Sequence, residues 1–81
     1  NWIDIKKIVY DDLLNRIVSL DIPHPYNVTK DKNIFKHVLK LNDGYYAQGN
    51  LSSGAVLSHC KYILRTLGYE PYRALKIKYA K

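Results

Sequence analysis

Residues 50–81 read NLSSGAVLSHCKYILRTLGYEPYRALKIKYAK, and the rest of the chain is organised around this stretch. Val56, Cys60, Ile63, Leu64 and Leu67 recur at helical spacing, which winds one apolar stripe onto a helix. At about 100 degrees of turn per residue, Gly54, Ser58, Lys61, Tyr62 and Arg65 share the opposite face. Ser52 or Ser53 is the expected N-cap, and Gly68 the expected left-handed residue past the C-terminus. Pro71 blocks continuation. From Arg73 to Ala80 the pattern alternates, Leu75, Ile77 and Tyr79 against Lys76 and Lys78, which predicts a half-buried strand with its lysines outward.

Upstream, Tyr10, Leu13, Leu14, Ile17 and Val18 keep a helical period within an aliphatic-rich segment. This predicts a first helix over about residues 4–20, with Asp11-Asp12 as the place where it would break. Pro23 and Pro25 bias Ile22 and His24 towards an extended path, and Tyr26 to Val28 reads as a short extended segment. A second helix is expected from a cap at Thr29 or Asp31, through Ile34, Phe35, Val38, Leu39 and Leu41, to a stop at Asn42-Asp43-Gly44. Lys32, Lys36 and Lys40 would line one face of it. Tyr45 to Ala47 reads as two or three residues of strand and Gln48-Gly49-Asn50 as a turn. The expected fold is mainly α, a three-helix core with a minor β element, with a small α+β domain as the alternative.

A chain of 81 residues makes one domain with a modest core and a thin stability margin. Its 47% apolar and 25% charged content is a globular balance and argues against disorder. No apolar run approaches the roughly 20 residues of a bilayer span, and the start lacks the pattern of a signal peptide. No methionine occurs, so the chain is expected to be a piece of a longer protein or a processed product. The lone Cys60 lies on the apolar stripe and reads as a core residue of a reducing, intracellular compartment, cytoplasmic or nuclear.

The net charge of +6 is unevenly spread. Residues 1–28 hold three Lys/Arg against four Asp, while residues 29–81 hold ten against three acidic residues. Tyr62, Tyr69, Tyr72 and Tyr79 lie among those cations. Cations neutralise phosphates and rings stack on bases, so the C-terminal two-thirds suits a nucleic-acid partner. The opposing reading is a solvated basic face with tyrosines serving the core.

Metal and catalytic readings are poor. His24, His37, His59 and Cys60 lack the paired spacing of a zinc site. His59 and Cys60 are adjacent on a helix, so their side chains diverge; His59 is expected to flank the core. A small basic ribonuclease using a histidine is the enzymatic alternative. No cofactor is called for.

The string LSSGAVLSHCKYILRTLGY resembles the recognition helix of the winged helix-turn-helix superfamily: a capped start, a small residue then Val, a His midway, and Leu-Gly-aromatic at the end. The likeness covers residues 33–80 and leaves out the superfamily's intermediate helix and its full hairpin wing. It implies major-groove contacts from Ser53, Gly54, Ser58, Lys61, Tyr62 and Arg65, with Lys76 and Lys78 on phosphates. Lys32, Lys36 and Lys40 would then be a second phosphate strip. The expected function is nucleic-acid binding, duplex DNA favoured, within a regulator or a replication or recombination protein. The alternative is a protein-interaction or homodimerisation domain using residues 1–20, its charge incidental.

Overall fold

The computed structural model describes residues 2–74, apart from the side chains of Tyr72 and Ala74. The elements run α1 (Trp2–Asp12), α2 (Leu14–Val18), β1 (Val38–Lys40), a 3-10 turn (Asn42–Gly44), β2 (Tyr46–Gln48), α3 (Ser53–Thr66) and a last helical turn, α4 (Pro71–Ala74). The chain is mainly α with a minor two-stranded antiparallel sheet.

The first helix is two helices. Its ladder is interrupted at Leu13 (φ −107, ψ 10), one residue past the aspartate pair, and resumes at once. Lys6, Val9, Tyr10, Leu13, Leu14 and Ile17 are the buried positions of α1 and α2, a helical stripe that passes through the break. A lysine therefore occupies the position that an aliphatic would be expected to fill, while Ile8 is 53% exposed.

No second helix forms over residues 31–37, which are turns and bends, and residues 38–40 are strand. The expectation of a helix there is corrected by two local effects. Thr29 Oγ1 accepts from the Asp31 amide at 3.1 Å and Asp31 Oδ1 from the Asn33 amide at 2.9 Å, so side chains cap a turn that no helix continues. Leu39 and Leu41 point inward while Val38 and Lys40 are exposed, a period of two inside what reads as a period of 3.6. Lys32, Lys36 and Lys40 are all exposed, but they do not share a helical face.

β1 and β2 pair with Leu39 opposite Ala47. Asp43 (φ 58) and Gly44 (φ 77) turn the chain between them, and the Leu41 amide reaches the Tyr45 carbonyl at 2.8 Å. Thr29 exchanges two backbone hydrogen bonds with Tyr46, at 2.9 and 2.7 Å, which adds an extended segment beside β2. The hairpin turn is tied to α1 where the Asn42 amide donates to Asp11 Oδ1 at 2.8 Å.

α3 begins and ends as its residues dictate. Ser52 Oγ accepts from the Ala55 amide. Gly68 (φ 92) is left-handed, with the Tyr69 amide on the Leu64 carbonyl at 2.8 Å and the Gly68 amide on the Arg65 carbonyl at 3.0 Å, a Schellman arrangement. Val56, Cys60, Ile63 and Leu64 are buried against Val9, Tyr10, Leu13, Leu14 and Ile17, with Ala47 beneath.

The strand expected from Arg73 onward is corrected at its start: Pro71–Ala74 is helical, with Pro71 in the first turn and Glu70 Oε2 accepting from the Arg73 amide at 2.7 Å. Lys76, Lys78 and the rest of that segment lie outside the described residues.

Two glycines separate close approach from open space. A Cβ on Gly49 would lie 3.0 Å from the Val38 carbonyl carbon and 3.1 Å from its oxygen, whereas one on Gly54 meets nothing within 4 Å. Gly49→Ala is expected to cost about 1–3 kcal/mol by prising β1 from β2. Gly54→Ala is expected to be neutral or to add up to about 1 kcal/mol by restricting the unfolded chain. Urea unfolding of the two variants checks both.

Candidate functional site

α3 has two faces of different chemistry. Outward, Ser53, Gly54, Ser58 and Arg65 are exposed and Lys61 is half-buried, so the strip predicted from helical spacing is presented to solvent along most of its length. Tyr62 differs. It is half-buried and stacks on Tyr26, ring centres 4.1 Å apart and planes 9° from parallel. Tyr26 in turn meets the His59 ring edge-on at 4.8 Å. The three rings form a continuous path from the interior to the margin of the exposed strip, and Tyr62 fixes that margin.

The C-terminal end of α3 is held by α2. Arg16 donates to the Leu67 carbonyl and to the Tyr69 hydroxyl, each at 3.0 Å, with its guanidinium 5.4 Å from the Tyr69 ring centre. A cation there also meets the negative end of the helix dipole.

Inward, a polar cluster lies where α1, β2 and α3 meet. Lys6 is fully buried; its Nζ donates to the Gln48 carbonyl at 2.8 Å, lies 3.0 Å from His59 Nδ1, and stands 4.9 Å from the Tyr10 ring centre. An ammonium has no acceptor, so Nδ1 receives the bond and the His59 ring proton is on Nε2. Tyr10 passes its own hydroxyl to the Tyr26 carbonyl at 2.8 Å.

Burial lowers the Lys6 ammonium to a pKa of about 8, partly opposed by Cys60. Burial, and then the Lys6 charge, lowers His59 to about 4. Burial pushes the Cys60 thiol up to about 11 against the pull of Lys6. Burial likewise raises the Tyr10 phenol, with Cys60 and Tyr26 adding to the rise. At neutral pH the cluster is therefore a lysine cation among neutral groups. Lys6 and Tyr26 are the members that spacing alone overlooks. The signal for Lys6 is its place three and four residues before Val9 and Tyr10, in line with the buried stripe.

The other candidates are dispersed. His24 is exposed and stacks on Phe35, ring centres 5.3 Å apart, and His37 is exposed ahead of β1. Neither is placed against His59, which belongs to the interior. Among the described residues no group of three or more His, Cys, Asp or Glu is placed to hold a metal ion, and no helix is long and apolar enough to cross a membrane. Lys30 lies over the Tyr45 ring at 5.0 Å.

Comparison with protein-family models, with curated proteins and with solved structures gives no match. The reading of the site rests on its own geometry.

Support and surface separate by mutation. Tyr62→Ala removes a ring stacked on Tyr26 and is expected to lower stability by about 1–3 kcal/mol. Arg65→Ala, at an exposed position, is expected to stay within about 0.5 kcal/mol of the parent. Thermal unfolding followed by circular dichroism measures both.

Proposed function

We propose that this domain binds nucleic acid, duplex DNA by preference, through the outward face of α3. The observation that carries the reading is that face itself: Ser58 and Arg65 are exposed beside Lys61, opposite a stripe whose Val56, Cys60 and Ile63 are fully buried. Arg65 and Lys61 would neutralise phosphates or meet base edges, and Ser58 and Ser53 would hydrogen-bond either. Gly54 has open space above it, which lets a backbone or a base edge approach the first turn closely. Tyr62 would edge the contact rather than read it, since one of its faces is taken by Tyr26.

The charge distribution supports the same partner. The negative N-terminal segment has all three of its cations already engaged: Lys6 is buried, Lys7 is paired with Asp11 at 2.6 Å, and Arg16 holds the Leu67 carbonyl and the Tyr69 hydroxyl. Lys32, Lys36 and Lys40 are exposed on the loop and hairpin before α3 and would add phosphate contacts, though not as a helical row. The winged helix-turn-helix likeness supports a helix in the major groove. The helix that would precede α3 in that motif is replaced by β2, so α3 would be presented by a hairpin. In this reading the domain works by binding and not by turnover, inside the cell.

A second reading, a protein-interaction surface on residues 2–20, is favoured by the partial exposure of Trp2, Ile8, Val18 and Leu20.

Titration of a short duplex at increasing salt tests the proposal. Affinity is expected to fall by about 0.9 log units per log unit of salt for each phosphate neutralised. Arg65→Ala and Lys61→Ala should each reduce that slope by about 1. Absence of binding at low salt, or binding indifferent to reversing both charges, would exclude this face and favour the N-terminal surface.

A further inference from the structure

Lys6 is the one fully buried side chain between Trp2 and Ile8; Ile3 and Ile5 are half-buried, and Trp2, Asp4 and Ile8 are exposed. The first two turns of α1 are thus held by one buried ammonium together with the half-buried Ile3 and Ile5, which pack against the core. Its partners are a backbone carbonyl on β2, the unprotonated Nδ1 of His59 on α3, and the face of Tyr10 on α1 itself. Among the described residues no carboxylate contacts it.

This geometry makes the anchor conditional on one proton. A proton on His59 Nδ1 abolishes the acceptor and sets two cations 3.0 Å apart in a place closed to water. We propose that the Lys6–His59 contact is an acid-released latch: protonation of His59 turns the hydrogen bond joining α1 to α3 into a repulsion, and residues 2–8 lift away from α3 and β2.

The groups facing the contact are Tyr10 from α1, Cys60 from α3 and Tyr26 from the loop before β1, while β2 contributes only the Gln48 carbonyl. Burial raises both the Tyr10 phenol and the Cys60 thiol, so neither changes charge in acid, and Lys6, at about 8, stays cationic. His59 is the titrating member. Its folded pKa of about 4 lies below the ordinary 6.5, so the open form binds the proton more tightly. Opening is therefore independent of His59 above the ordinary value and grows as pH falls from 6.5 towards 4, by at most about tenfold per pH unit for a single proton. Beyond Ile8, α1 keeps other anchors: Val9 and Tyr10 in the core, the Tyr10 hydroxyl on the Tyr26 carbonyl, and Asp11 on the Asn42 amide. Release is thus confined to its first turns.

The test follows the His59 ring resonances and amide exchange, corrected for intrinsic rates, from pH 7 to pH 4. Protection of the amides of residues 5–8, the hydrogen-bonded ones of the released turns, should be lost in step with His59 protonation, approaching tenfold per pH unit, while the amides of residues 57–66 stay protected. Trp2 fluorescence should change over the same range. His59→Asn places an amide oxygen near the position of Nδ1, accepts from Lys6 and takes no proton; it should hold residues 2–8 closed throughout. Loss of protection in that variant at the same pH would overturn the latch. So would a protonated His59 with residues 2–8 still closed, or joint loss across α1 and α3. If His59→Asn does not fold, the parent protein's titration against its exchange decides alone.

Discussion

A lysine ammonium closed off from water at the meeting point of three elements constrains the whole arrangement. Removing that charge from water costs several kcal/mol unless hydrogen-bond acceptors are brought to it. The acceptors here come from parts of the chain 42 and 53 residues away, the Gln48 carbonyl and His59 Nδ1. Meeting the requirement therefore fixes the relative placement of α1, β2 and α3 more tightly than apolar contact, which tolerates sliding. In a chain of 81 residues, with little core to spare, a directional contact of this sort specifies one packing among several.

The consequences pass along α3. Its inner face must present His59 to Lys6 and Cys60, Ile63 and Leu64 to α1 and α2, which leaves its rotation about its own axis no freedom. Arg16 on the Leu67 carbonyl and the left-handed Gly68 fix where it ends, and Ser52 fixes where it starts. The outward strip from Gly54 to Arg65 is thus defined by what is bound on the other side. Such rigidity is what a recognition surface needs, because contacts on a helix held in one rotation do not pay for ordering at the moment of binding.

How much of this was legible in the residues depended on how local the determinants were. The limits of α3, its caps and its inner and outer faces follow from Ser52, Gly68 and the spacing of Val56, Cys60 and Ile63, all within one segment. Residues 29–41 read as helix because Ile34, Phe35, Val38, Leu39 and Leu41 fit both a helical and an alternating period. What decided between them was the turn chemistry of Thr29 and Asp31 and pairing with a strand that begins at Tyr46, a partner the local pattern does not contain. The burial of Lys6 is hidden in the sequence for a related reason. Composition marks lysine as exposed, and only distant acceptors make its burial tolerable. The Tyr62–Tyr26 stack is equally non-local, joining residues 36 positions apart in sequence, so Tyr62 could be assigned to the right side of α3 but not to its half-buried role.

Burying Lys6 also shapes the field outside. An ammonium that stays in the interior adds little to the surface potential, and Lys7 is neutralised at close range by Asp11. The first helix then faces water with Asp4 and Asp12, both exposed, while exposed cations lie on the loop, on the hairpin and on α3, with Arg16 on α2 and Arg73 on α4. The molecule is more polar in its charge than its net value implies. The same lysine that fixes the rotation of α3 thereby sharpens the contrast between its outward face and the helix behind it.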